Sequence, residues 1–156
     1  VSLQMEYSLW TRDPESGNIQ ACREFGMGFM AYSPLGRGFF AGAVHNLKDL
    51  TDGDGRKNHP RFQEGNLDRN LKLLEAFEAI AKEKSATPAQ LALAWLMAQG
   101  NDIIPIPSNK SRRHLEENLK AIDIKLTQED LARLNALFPP GAAAGPRTRD
   151  LERVNV

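Results

Sequence analysis

The sequence has little that would staple it, anchor it or charge it. Cysteine occurs once, at Cys22, so no internal disulfide forms and a disulfide-framed secreted scaffold is excluded. The three histidines, His45, His59 and His114, share no ligand spacing with Cys22, and no metal site is expected. Long apolar runs are missing. The longest, around Leu91–Ala98, falls far short of the roughly 20 residues a membrane helix needs. No basic stretch followed by an apolar one stands at the start, so no secretory leader is expected and the expected location is cytoplasmic. Charge of one sign is absent too. Lys+Arg number 20 and Asp+Glu 20, so nothing at whole-chain level attracts nucleic acid or an anionic membrane.

What is present is the composition of a soluble globular domain: 156 residues, 41% hydrophobic and 26% charged. Leu3, Met5 and Tyr7 alternate with Gln4, Glu6 and Ser8, and this period of two predicts a strand over Val1–Leu9. A short helix is expected over Asn18–Phe25, stopped by Gly26, and a second strand over Met27–Ser33, ended by Pro34. From Pro34 to about Asn66 the chain is rich in Gly and Pro and poorly periodic, which predicts a long loop of the kind that carries function. Leu67, Leu71, Leu74, Phe77 and Ile80 predict an amphipathic helix over Leu67–Lys82. Thr87-Pro88 is a cap and first-turn proline opening an almost wholly apolar helix, Ala89–Gln99. A short strand over Asp102–Pro107, a helix over Ser111–Ile122 and a last helix capped by Thr127 and broken at Pro139-Pro140-Gly141 complete the pattern. Strands alternating with helices imply an α/β fold with parallel pairing and right-handed crossovers. The helices carry enough apolar residues to cover both faces of such a sheet. Three strands do not close a barrel, which needs eight strands and about 250 residues.

Two runs carry chemistry. In the first, Tyr32–Gly42 (YSPLGRGFFAG), a strand runs straight into Ser-Pro and three glycines. Glycines allow a sharp turn and close approach to a ligand, and exposed amides beside Arg37 suit a phosphate. The same residues also suit a plain surface turn. In the second, Pro107–Asn118 (PSNKSRRHLEEN), Ser108 or Asn109 can cap the helix after the third strand. Lys110, Arg112 and Arg113 crowd positive charge at a helix start that already favours anions. A bound phosphate resolves that conflict, and so does a solvated patch balanced by Glu116 and Glu117.

Together these runs resemble the aldo-keto reductase superfamily, in particular plant and microbial members with EYSLWTRDPE, here Glu6–Glu15. The likeness continues through YSPLGRGFFAG, HPRF (His59–Phe62), TPAQLALAW (Thr87–Trp95) and IPIPSNKSRRHLEEN up to Asn118, and extends from Leu3 to about Asn155. The resemblance implies a (β/α)8 TIM barrel of which this chain is the C-terminal half, strands six to eight with their helices and a C-terminal helix. It implies NADPH as cofactor and reduction of a small-molecule aldehyde or ketone to an alcohol. The family's catalytic Asp, Tyr, Lys and His belong to the first five strands, so no catalytic residue is expected here. Residues 1–156 are then an incomplete domain, a fragment or a truncated product, whose partner is the missing N-terminal half of the barrel or a second copy. The alternative is a non-catalytic nicotinamide-nucleotide-binding module or an inactive half-barrel.

The family's cofactor residues map onto this chain as follows. Gln4 matches the glutamine on the nicotinamide carboxamide, and Tyr32 the aromatic stacked on the ring. Ser33, Pro34, Leu35, Gly36 and Gly38 match the loop around the pyrophosphate, with Arg37 beside it. Ser108, Lys110, Ser111, Arg112 and His114 fall where the adenosine 2′-phosphate and ribose are held, and Glu117 and Asn118 where adenine is contacted. Many relatives have glycine-threonine in place of Ser108-Asn109. Trp10 and Arg12 are expected on the substrate side, and Cys22 as a structural residue.

Overall fold

A computed structural model describes residues 1–42 and 44–149. Three parallel strands, β1 (Ser2–Glu6), β2 (Gly28–Tyr32) and β3 (Ile103–Pro105), lie in the order β1-β2-β3, with Gln4 opposite Met30 and Met30 opposite Ile104. Five α-helices connect or follow them: α1 (Asn18–Glu24), α2 (Asn66–Glu83), α3 (Pro88–Met97), α4 (Arg112–Leu119) and α5 (Gln128–Leu137). The sequence order strand, helix, strand, loop, two helices, strand, two helices is therefore the observed one.

Where bounds differ from expectation, local hydrogen bonding explains it. β1 stops at Glu6, not Leu9, because Ser8 turns the chain. Its Oγ accepts from the amides of Trp10 and Thr11, and its backbone pairs antiparallel with Thr11. β3 keeps only three of the six expected residues. Pro105 has no N–H to offer a neighbour, which an edge strand tolerates; the ladder ends as Ile106 N donates to the carbonyl of Ala31. Neither Ser108 nor Asn109 caps α4. Ser111 does, its side chain accepting from His114 N, while Asn109 is turned inward to Asn118. Helix α4 also ends at Leu119, three residues early, and tightens into a 3-10 turn over Lys120–Asp123.

The caps read from the sequence are in place. Thr87 and Gln90 close a reciprocal capping box at α3, with Pro88 in the first turn, and Thr127 and Asp130 do the same at α5. Helix α3 is buried from Ala89 through Leu96. The long segment from Pro34 to about Asn66 is not structureless. It winds through 3-10 turns at Gly36–Ala41, Leu47–Asp49, Gly55–Asn58 and Pro60–Phe62, three of them capped by Asn46, Asp54 and His59. Turns this short carry no hydrophobic period to read.

Cover on the sheet is one-sided, contrary to the expectation of two covered faces. Phe29, Ala31 and Ile103 are buried against the helices. On the opposite face Ser2, Gln4 and Ile104 are exposed, and Met30 and Tyr32 are half-buried. The crossovers all return on one side; on the other, the loops reach only the end of β1, where Glu6 is buried against Arg37 and Arg61, among the described residues. The core is largely aromatic. Tyr7 meets Phe29 and Trp95 edge-on at 5.9 and 5.5 Å. Trp10 stacks on Phe39 at 3.9 Å and meets Phe40 and Phe62 edge-on; Phe40 in turn contacts Phe77 of α2 and Phe138. This second cluster fastens the loops beyond β1 and β2 to α2, the helix beneath them. Cys22 is a free thiol, fully buried in the core, as a structural residue is.

Candidate functional site

The C-terminal ends of β2 and β3 open into a cleft of about 1160 Å³. Parallel strands place their following loops side by side at this edge, which is where open α/β sheets take ligands. One wall is the loop after β2, with Tyr32, Ser33, Pro34, Leu35, Arg37 and Gly38. Across from it stand Ser108, Lys110, His114, Glu117 and Asn118, from the loop after β3 and from α4. Two runs some 70 positions apart in sequence thus form one concavity, as the resemblance implies (Lys110 minus Arg37 is 73).

Of the other candidates, Gln4 lies on the exposed face of β1, outside the cleft wall. Gly36 is buried behind the wall, where a Cβ would stand 3.0 Å from Cε3 of Trp10. Ser111 is spent as the cap of α4. Arg112 projects into solvent, 90% exposed, and its Nε donates to Glu116 at 2.7 Å. Asn118 is buried and donates to Oδ1 of Asn109 at 2.7 Å, which holds the loop after β3 against α4. Gln90 of α3 donates to the carbonyl of Glu117 at 3.0 Å and ties α4 down.

The wall after β2 is held in an unusual backbone conformation. Gly36, Arg37 and Gly38 are left-handed in succession, at φ 55°, 58° and 87°, and Ser33 has φ 50°. For residues other than glycine this region costs on the order of 1–3 kcal/mol each and persists only where surroundings enforce it. Here the enforcement includes a buried carboxylate. Glu6, 4% exposed at the end of β1, accepts from Nη2 of Arg37 at 3.3 Å through Oε2. Its Oε1 accepts from Oγ1 of Thr11 at 2.8 Å and lies 3.8 Å from Nη1 of Arg61. Glu6 stands at the register position opposite Tyr32.

A third wall comes from the segment Thr51–Arg56, part of the long loop expected to carry function, though none of these residues stands out in the sequence. Asp54 accepts from Nη2 of Arg56 at 2.7 Å and from the Arg56 amide. These bonds, and to a smaller extent the charge of Lys110 across the cleft, hold the Asp54 carboxyl down at about 2. Arg56 also donates to the carbonyl of Arg37 at 3.2 Å, so the segment is latched to the wall after β2. A run such as Asp52-Gly53-Asp54-Gly55 signals turns in the sequence, but not where the turns lie.

Beside the cleft, on the far side of Glu6, lies a second pocket of about 560 Å³, walled by Trp10, Arg12, Arg61 and the segment after α5. Arg12 is held by a bidentate pair with Glu15 at 2.7 and 2.8 Å and by the carbonyl of Phe138 at 2.9 Å. Tyr7 donates to Glu15 at 2.8 Å; burial and then the Glu15 charge push its hydroxyl well above the usual range, so it stays protonated. His59 joins the loop to the segment after α5. Its Nε2 faces the carbonyl of Arg147 at 2.8 Å and its Nδ1 accepts from the Arg61 amide, which fixes the tautomer with the proton on Nε2. Burial, then the Arg37 charge, lowers its pKa and keeps the ring neutral. Among the described residues no cluster of histidine, cysteine, aspartate and glutamate could hold a metal, and no helix is long and apolar enough to cross a membrane.

Comparison with known proteins points to one family. The model of the aldo/keto reductase family matches residues 1–138. Probable aldo-keto reductase 1 of Glycine max is 45% identical over 147 residues, which are 94% of this chain and 42% of that protein. An aldo-keto reductase from Klebsiella pneumoniae, solved in complex with NADPH, superposes with a TM-score of 0.64 at 28% identity over 95% of this chain and 42% of its own. A thermostable aldo-keto reductase in complex with the inhibitor epalrestat superposes with a TM-score of 0.61 at 32% identity over 86% of this chain and 38% of its own. The chain thus spans about two fifths of the length of the relatives it matches. With a family match over 138 of its 156 residues and a plant relative sharing nearly half of its sequence, this chain belongs to the aldo/keto reductase family.

Proposed function

We propose that this chain is the cofactor-binding part of an NADPH-dependent reductase that converts aldehydes or ketones to alcohols, its three strands being the sixth to eighth of an eight-stranded barrel. The observation that carries the reading is the cleft itself. A left-handed loop with Arg37 faces Lys110 and the start of α4 across a space sized for an extended nucleotide. The amides of Gly36 and Gly38 are spent on the carbonyls of Ser33 and Leu35, so what this loop offers a pyrophosphate is the partly exposed Arg37 side chain, and Tyr32 at the strand end suits a stacked ring. Lys110, free of any ion pair among the described residues, suits the phosphate on the adenosine ribose.

When bound, NADPH supplies the hydride that goes to the carbonyl carbon. What this chain's own residues do is bind and orient. Tyr32 fixes one face of the ring, Glu6 fixes Arg37, and Asn118 fixes the loop that carries Lys110. The family's proton-donating tyrosine and its Asp, Lys and His partners are not among these residues. The expected result for the isolated chain is therefore cofactor binding without carbonyl reduction, until the rest of the barrel supplies those groups; a second copy covers the open face but brings no proton donor.

The test is titration of NADPH and NADH by fluorescence quenching. Lys110→Ala should weaken NADPH binding by about tenfold or more, the worth of one charge-assisted hydrogen bond, and leave NADH almost unmoved. Arg112→Ala should cost less, because Arg112 must first release Glu116. Equal loss of both cofactors in Lys110→Ala, or none, overturns the assignment of the phosphate to Lys110. No binding of either cofactor to the unaltered chain overturns the reading as a whole.

A further inference from the structure

Among the described residues, the pocket beside the cleft holds more buried positive charge than its surroundings neutralise. Arg61 is 6% exposed and Arg147 is 6% exposed, and both line it. Arg61 spends Nη1 on Thr11 at 2.6 Å and Nε on the carbonyl of Gly145 at 3.3 Å, and among the described residues nothing takes its Nη2. Its one buried counter-charge, Glu6, is 3.8 Å away and shared with Arg37. Arg147 makes no ion pair and no side-chain hydrogen bond among the described residues; only its carbonyl is engaged, by His59. The acidic residues of the same wall do not supply the balance. Glu15 is taken by Arg12, and Asp13 is exposed at the rim. Burial and the charges of Arg37 and Arg147 press on the Arg61 guanidinium, against the pull of Glu6 and Asp13. Among the described residues Trp10 Nε1 alone is both sealed from solvent and unpartnered, so the unpaired guanidinium nitrogens keep contact with the pocket space, where an anion pairs with them.

The rest of the wall is apolar. Trp10 lies against the pocket with the Arg61 guanidinium 5.4 Å over its ring, joined by Pro140 and Ala143. Its Nε1 is a buried donor with no partner. At about 560 Å³ the space exceeds any inorganic anion and suits a small organic molecule.

We propose that this pocket is a carboxylate-binding site, in which Arg61 and Arg147 hold the acid group of a small molecule whose apolar body lies along Trp10. Guanidinium groups suit this ligand because their paired N–H donors match the two carboxylate oxygens. That the acid is the carbonyl substrate, a keto acid or an aldehyde acid, rests on the reductase reading above. Carboxylate binding itself does not.

The experiment uses the full 156-residue chain and its intrinsic tryptophan fluorescence, since Trp10 borders the site. Hexanoate, hexan-1-ol and inorganic phosphate are the probes. A saturable response to hexanoate is expected, with none to the alcohol or to phosphate. Arg147→Gln should weaken hexanoate by about tenfold or more, and Arg147→Lys should restore part of it. Arg61→Gln is less suitable because Arg61 also holds Glu6. NADPH quenching is measured on the same samples and should be unchanged in Arg147→Gln, which shows that the variant is folded. Absence of saturation by hexanoate, an equal response to phosphate or hexan-1-ol, or full hexanoate affinity in Arg147→Gln overturns the proposal. Failure of NADPH to bind the unaltered chain would instead strike the reductase reading and leave the carboxylate site standing.

Discussion

Glu6 is the residue on which both concavities depend. It is buried, it is the only carboxylate paired with Arg61 among the described residues, and it fastens the left-handed Arg37. Glu6→Gln keeps the size and an acceptor for Thr11 but removes the charge. Breaking a buried pair this way costs about 3–5 kcal/mol, because the remaining cation stays buried. A fall of that order in unfolding free energy by urea titration is the expected outcome, with Arg37 freed to move and NADPH bound more weakly. A loss below about 1 kcal/mol would mean that Arg37 and Arg61 find other partners. Gly36 makes a second case at this scale. It combines φ 55° with a Cβ site 3.0 Å from the Trp10 ring and 3.2 Å from that of Phe40. Gly36→Ala should therefore destabilise by about 1–3 kcal/mol through strain and crowding together, read as a lower melting temperature. Neither role could be read from the sequence. Glu6 is one polar residue in an alternating strand, and its partners Thr11, Arg37 and Arg61 meet it only once the loops fold.

At the scale of elements, what the sequence makes legible is what depends on near neighbours. Thr87-Pro88 and Thr127 mark helix starts because a cap bonds three residues on, and both are where they were expected. Leu67 to Ile80 marks α2 because one face of a helix repeats along the chain. The end of β1 and the turns between Pro34 and Asn66 are local but carry no hydrophobic period, while the end of β3 and the cap of α4 depend on contacts with other parts of the fold. Asn109, for instance, is drawn away from capping by Asn118. At the site the two walls with distinctive runs are legible residue by residue, whereas the Thr51–Arg56 wall is legible only as part of a long loop that carries function. The cap of α5 gives a prediction in pH. The Asp130 carboxyl sits at about 2 against an ordinary 3.8, chiefly through a hydrogen bond from Lys84 beyond α2 and then through the Thr127 amide. A carboxyl whose pKa is lower in the folded state adds stability that is complete above its ordinary value and is lost as pH falls through the folded one. Asp130→Asn should thus be less stable than the unaltered chain at neutral pH, and the two stability curves should converge between about pH 4 and pH 2. A gap that stays constant down to pH 2 would assign the effect to packing and not to charge.

At the scale of the whole molecule the governing fact is a parallel sheet covered on one face. Parallel sheets are found buried on both faces, because their crossovers bring cover to each. Among the described residues the face with Gln4, Met30 and Ile104 lies open, and β1 and β3 both present unpaired edges. Ile104 is 50% exposed. Helix α4 and the turn after it add a second uncovered strip, with Leu115 46%, Leu119 55% and Ile122 59% exposed. Exposed edges and contiguous apolar surface drive association. Zero net charge removes the long-range repulsion that would oppose it. The isolated chain should therefore self-associate, its mean mass by light scattering rising with concentration above 17.3 kDa. The two strips make separable contributions. Leu119→Lys combined with Ile122→Lys should reduce association by way of the α4 strip and leave the buried core untouched. Ile104→Lys should act at the sheet face, where it also places a cation beside Met30. If all of these variants associate as the unaltered chain does, the strand edges alone carry the contact. A monomer at all concentrations with one cooperative melt would show that the open face is stable in water, against the expectation from its apolar content.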